Sequence, residues 1–275
     1  MDSMRFLIRP FWILFFLLGV THTHAQDEPI YYVQIKTNLG NMRVMLYNET
    51  PQHRARFLKL VNNNHFDGTL FYRVIKSFVI QGGSSDSRNA PAGKHIGYGS
   101  STEIISSEFT RKRFHKKGAL CAPRQPEDVN HFRMSDVSQF YLVQGRVYSD
   151  QELDILEKRV NNPIKKELLE RYYYPKKEEL NRLKEEDPTE FNKLLREIKA
   201  KVDFEYNLAD LLVFTPEQRE AYTTVGGLPD LDNDYTVFGE VVEGVEVIDK
   251  IASLPTDKND RPLTDVKITI EEHYL

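Results

Sequence analysis

The 275 residues carry 37 Lys and Arg against 41 Asp and Glu, a formal net charge of −4. That length is enough for one large domain, or for one domain with an insertion, and 40% hydrophobic residues exclude a disordered chain. The near balance of acids and bases excludes the clustered basic excess of a nucleic-acid footprint.

The first stretch reads as a targeting segment. Arg5 and Arg9 precede the apolar run 11–20, which is too short to span a bilayer, and Thr23-His24-Ala25 supplies small residues at the −3 and −1 positions. Cleavage is expected after Ala25, giving a periplasmic or secreted protein with no stable membrane insertion; an uncleaved anchor is the alternative. Cys121 is the only cysteine, so the exported chain has no internal disulfide and must be held by packing. Between Leu120 and Ala122 it reads as a small buried filler.

Residues 32–37 alternate polar and apolar as a strand, 38–41 (Asn-Leu-Gly-Asn) are turn chemistry, and 42–47 alternate again, which makes a hairpin. Thr50-Pro51 supplies an N-cap followed by proline at the first helical position. Ala55, Leu58 and Val61 share one side of the helix that follows, widened by Phe57 and Leu60. Residues 71–83 then read as two short strands joined at Lys76-Ser77. Val79 and Gln81 alternate with Phe78 and Ile80, so that one face lines a site while the other packs inward. Gly82-Gly83 ends the second strand. Arg73 is a permanent cation among aromatic and branched apolar residues, and needs a partner or a task; the plainer alternative is a rim arginine whose stem covers apolar surface.

Residues 84–117 are loop-rich. Small apolar residues at 118–122 and the alternation at 138–143 predict two strands. From Ser149 to about Glu220 glycine disappears and lysine, arginine and glutamate dominate. Ser149-x-x-Glu152 is a capping box, and Asp187-Pro188-Thr189-Glu190 and Thr215-Pro216-Glu217-Gln218 repeat the start signal. At least three helices are expected, with a break near Tyr172-Tyr173-Tyr174-Pro175. Strand patterns resume at 236–241 and 266–270, around a short helix at 245–252. Residues 26–148 and 221–275 thus form one strand-rich unit interrupted by a charged helical insertion, 149–220.

The run Phe71-Tyr72-Arg73-Val74-Ile75 followed by Phe78-Val79-Ile80-Gln81-Gly82-Gly83 resembles the signature of the cyclophilins, the peptidyl-prolyl isomerases. Thr37-x-Leu39-Gly40, Ser138-Gln139-Phe140, Tyr235-Thr236-Val237-Phe238-Gly239 and Asp260-Arg261-Pro262-Leu263 match further landmarks in the right order. The resemblance implies a mainly β fold: a closed eight-stranded antiparallel barrel with a helix at each end and a groove on its outer wall. It implies catalytic roles for Arg73 and Gln81, and a proline pocket of Phe78, Val79, Tyr141 and Leu231, with Phe140 beneath it and Tyr235 at the substrate-binding edge. The substrates implied are proline-containing unfolded or extended polypeptides, with no nucleic acid. No cofactor and no metal are expected: the histidines show no metal-ligand spacing, and 230–234 lacks the spacing of a calcium loop.

Several positions depart from the family pattern. Val79 stands where many members carry methionine, Tyr235 replaces a histidine, Asp230 replaces a tryptophan, and Arg124 falls near a backbone-binding asparagine. The opposing class is a non-catalytic peptide-binding or chaperone module that uses the groove and the helical insertion. The insertion is expected to fold against itself or the barrel rim. Its aromatics, Tyr172-Tyr173-Tyr174 and Phe204-Glu205-Tyr206, would either bind clients or pack the helices together. Its removal is expected to spare activity on small peptides.

Overall fold

The computed structural model describes residues 29–99 and 104–273; the leader and its cleavage site lie outside them. Strands β1 (Tyr31–Thr37) and β2 (Gly40–Leu46) form the expected hairpin and bury Val33, Ile35, Met42 and Val44 on one face. Gly40 sits at φ +137°, and a Cβ there would lie 2.8 Å from Val247 Cγ2, so conformation and packing both require glycine. Strands β3 (Thr69–Val74) and β4 (Val79–Gly82) turn through Lys76-Ser77, with Ser77 at φ 60°.

After a two-residue ribbon of β5 (Ile104–Ile105) and β7 (Ser135–Asp136), the chain supplies β6 (Ala119–Cys121), β8 (Phe140–Val143), β9 (Val237–Glu243) and β10 (Lys267–His273). Eight strands close an antiparallel barrel in the order β1-β10-β3-β4-β8-β6-β9-β2. Its interior is filled by side chains from alternate strand positions. Phe57, Phe66, Phe71, Phe140 and Phe238 meet there at centroid distances of 5.0 to 6.0 Å, mostly edge to face. Helix α1 (Pro51–Asn62) leaves the Leu46 end of β2 and plugs that end of the barrel, while α6 (Glu246–Ala252) sets Val247 against Gly40 at the other.

The start of α1 differs from its sequence signal. Proline occupies the first turn as expected, but the Thr50 side chain makes no cap bond, and its hydroxyl is buried without a partner. Glu108 caps the helix instead, accepting from Gln52 N at 3.1 Å and His53 N at 2.9 Å. A carboxylate suits the positive helix N-terminus, so a residue 56 positions along the chain displaces the local cap.

The same carboxylate accepts from His53 Nδ1 at 2.7 Å, while His53 Nε2 is buried without a partner. Burial pushes the His53 pKa below its ordinary value despite the opposing pull of Glu108. The neutral imidazole fits this site; a second N–H would be an unsatisfied buried donor. The unfolded chain, with a histidine pKa of about 6.5, therefore binds the proton more readily than the folded one. Stability is complete above that value and falls as pH drops below it. We expect the urea midpoint to fall between pH 7.5 and 5.0, and the fall to shrink in His53→Asn, whose amide still donates to Glu108. An equal fall in both proteins would reject the assignment.

The insertion forms three helices and the start of a fourth, which runs on past residue 220: α2 (Asp150–Tyr172), α3 (Lys177–Glu186), α4 (Pro188–Leu208) and α5 (Pro216–Thr224). All three predicted start signals act as caps. Ser149 with Glu152 and Thr215 with Gln218 are reciprocal boxes, and Asp187 accepts from Thr189 N and Glu190 N. Pro163 lies within α2, where it removes one ladder donor without ending the helix.

The arm packs on itself through Leu168, Leu180, Ile198 and Val202, with Tyr172, Tyr173 and Tyr206 against them. Most of its aromatics are thus packing residues, although Tyr174 and Phe204 project outward. A second cluster of Leu153, Leu156, Phe214 and Tyr222 with Phe114 joins the arm to the barrel rim.

Candidate active site

Barrel register brings the site together. Arg73 on β3 pairs with Gln81 on β4, Gln81 pairs with Tyr141 on β8, and Tyr141 pairs with Cys121 on β6. Side chains opposite one another in paired strands share a face, so these four form one row across the outer wall. Val79 lies one row further along, opposite Val143. A cavity of about 150 Å³ opens on this wall, lined by Arg73, Phe78, Val79, Gln81, Tyr141, Leu231 and Tyr235, with Pro123 and Arg124 closing one side.

Seven of the eight candidate residues therefore meet around one hollow. Phe140 does not line it: the alternation of β8 turns its ring into the barrel core, fully buried, while Tyr141 faces the pocket. It supports the pocket from behind and has no direct access to a ligand. Phe78 also departs from the strand alternation. It precedes β4 in the turn, outside the strand register, and so reaches the same pocket as Val79 instead of packing inward with Ile80.

The Arg73 side chain is half-exposed, with Nη1 3.4 Å from Gln81 Oε1, Nε 3.9 Å from Asp260, and the guanidinium carbon 5.9 Å from the Phe78 ring centre. These contacts are long, which leaves its N–H groups directed at the groove available to a ligand. Gln81 is held more firmly. Its Nε2 donates to the Tyr72 hydroxyl at 2.7 Å, and that hydroxyl donates to Gln139 Oε1. The amide is thereby oriented with its oxygen toward Arg73. Burial pushes the Tyr72 hydroxyl well above its ordinary pKa, so it remains a donor.

Arg124, which falls near the family's backbone-binding asparagine, is a wall residue here. Its Nε donates to Asp234 O at 2.8 Å, its guanidinium lies 4.9 Å from the Tyr235 ring centre, and the side chain is almost wholly buried. It fixes Tyr235 as one edge of the pocket. Asp230 faces away from the pocket and pairs with Arg159 of α2. Cys121 is buried beside Tyr141, and burial pushes both thiol and hydroxyl well above their ordinary pKa values. Among the described residues, no three His, Cys, Asp or Glu side chains are grouped so as to hold a metal ion.

The arrangement is an apolar hollow with the half-exposed Arg73 at its rim and the buried Arg124 tied up in one wall. The family model described as cyclophilin type peptidyl-prolyl cis-trans isomerase matches residues 32–159 and 218–272. A Streptococcus pyogenes serotype M6 protein, named as a bifunctional phosphatase/peptidyl-prolyl cis-trans isomerase, is 30% identical over 247 residues; these are 87% of this chain and 38% of that protein. The chain thus spans well under half of that relative. A Staphylococcus haemolyticus protein, named as a peptidyl-prolyl cis-trans isomerase, is 28% identical over 88% of this chain and 90% of its own length. In fold, the chain resembles the crystal structure of a Cryptosporidium parvum cyclophilin type isomerase, with a TM-score of 0.50 and 17% identity over 90% of this chain and 99% of that one. The chain belongs to the cyclophilin-type peptidyl-prolyl cis-trans isomerases.

Proposed function

We propose that this chain accelerates rotation about X–Pro bonds in unfolded or extended exported polypeptides, with Arg73 stabilising the twisted amide. The observation that carries this reading is the row that sets the Arg73 guanidinium beside an apolar hollow built from Phe78, Val79, Tyr141, Leu231 and Tyr235.

The barrier to rotation is ~18–20 kcal/mol because the nitrogen lone pair is delocalised into the carbonyl. No bond breaks, so neither nucleophile nor metal is needed. The hollow holds the proline ring while the preceding carbonyl rotates. As conjugation is lost, the proline nitrogen becomes pyramidal and regains a lone pair, to which an Arg73 N–H donates. The planar ground state offers no such acceptor, so the interaction favours the transition state selectively. Gln81, oriented by Tyr72, holds Arg73 from the side and offers its remaining N–H to the substrate backbone.

Export rests on the pattern of Arg5, Arg9, the apolar run and Ala25. The test has two parts. The purified protein should speed cis–trans exchange in an Ala-Pro-Phe peptide, read by NMR exchange spectroscopy, and protein from the envelope fraction should begin at Gln26. Exchange no faster than in buffer would reject the isomerase reading. An intact leader would reject export.

A further inference from the structure

A buried polar chain runs from helix α5, at the base of the arm, to the pocket. The Tyr222 hydroxyl on α5 donates to Asp232 Oδ2 at 2.6 Å. Asp232 Oδ1 accepts from the backbone N and the ring Nδ1 of His115, both at 2.9 Å. His115 Nε2 lies 3.0 Å from the Tyr141 hydroxyl. In the neutral imidazole, with Nδ1–H committed to the carboxylate, Nε2 accepts from the Tyr141 hydroxyl. Tyr222 and His115 are wholly buried, and the side chain of Asp232 is 6% exposed.

A carboxylate so deeply placed needs each of its partners, and the chain they form joins three separate parts of the molecule. Tyr222 lies on the second half of α5, just past the insertion's end at residue 220, and packs edge-on against Phe114 and Phe214. Asp232 sits within the segment that carries Leu231 and Tyr235, two walls of the pocket. Tyr141 is its floor, with Tyr235 6.0 Å away and nearly perpendicular to it. None of this is required to close the barrel, whose core is built from other residues.

We propose that Tyr222, Asp232 and His115 are positioning residues of the proline site, through which helix α5 holds Tyr141 and the Leu231–Tyr235 wall in register with Arg73. The proposal rests on the isomerase reading. It ties the base of the arm to the site. Loss of residues 150–219 removes the first turn of α5 and the Leu153, Leu156 and Phe214 side chains clustered with Tyr222. Activity on small peptides, expected from sequence to survive that loss, should fall instead.

The test is a double-mutant cycle read in kcat/KM for X–Pro exchange. Tyr222→Phe and Tyr141→Phe each remove one hydroxyl at opposite ends of the chain and keep the ring. Each should lower kcat/KM by about five- to tenfold, the worth of one buried hydrogen bond, and the double variant should fall no further than either single. Leu156→Val, which trims the same arm–barrel cluster but removes no hydrogen bond of the polar chain, should leave kcat/KM at the wild-type value.

Multiplied losses in the double variant, unchanged singles, or an equal loss in Leu156→Val would each overturn the proposal. Should Tyr222→Phe fail to fold, Asp232→Asn replaces it in the same cycle with the same expectation. An inactive wild type would remove the isomerase reading and this inference together, whereas an active wild type with multiplied losses would remove the inference alone.

Discussion

Arg73→Ala should lower kcat/KM for X–Pro exchange by about 10²–10³, the usual cost of removing one donor aimed at transition-state charge. The loss should appear in kcat and not in KM, because the donor acts only once the amide has twisted. Stability should change little. The side chain is half-exposed, and its ion pair with Asp260 is 3.9 Å long between two half-exposed groups, a geometry worth little in water. Arg73→Lys should recover only part of the rate, since an ammonium cannot reach Gln81 and the substrate with the same planar fork. Stopped-flow or NMR exchange rates, with urea midpoints measured in parallel, separate the two effects. Wild-type kcat in a folded Arg73→Ala protein would end the proposed mechanism.

What the sequence made legible was local or periodic. The alternation of 32–47 and of 138–143 places strands because only one face of each can be buried, and the serine and threonine boxes of the insertion cap helices because their partners lie three residues away. The pocket residues were legible through the Phe71 to Gly83 run, whose register then carries Gln81 to Tyr141. What stayed hidden depends on residues distant in sequence. Thr50 carries the right side chain for a cap and loses the place to Glu108, which only the folded loop delivers. Phe78 escapes the alternation because the strand begins one residue later. His115 looked like one of several scattered histidines and Asp232 like part of a polar loop. Their pairing exists only after β6 and the 229–235 segment meet. A buried polar chain leaves no periodic trace, so no pattern of spacing could have announced it.

Phe140→Ala should separate support of the pocket from participation in it. The ring stands edge-on to Phe57, Phe66 and Phe71 at 5.6 to 6.0 Å, inside the barrel and out of reach of a ligand. Its surroundings are already tight: a Cβ at Gly83 would lie 3.2 Å from its Cδ1, and Gly83 itself is held at φ +94°. Closed barrel strands cannot collapse into the space left by a phenyl ring, so the substitution should cost about 3–5 kcal/mol. That is a large part of the ~5–15 kcal/mol that holds an ordinary domain folded. The urea midpoint should drop steeply, while the protein still folded at low temperature should keep kcat/KM of the wild-type order. Phe78→Ala should do the reverse, losing a pocket wall in the turn before β4 and most of the activity, with a smaller loss of stability because Phe78 is only partly buried. A Phe140→Ala protein that matched the wild-type midpoint but had lost its activity would mean that residue 140 acts on the substrate directly, and the division of β8 into an inner and an outer face would have to be abandoned.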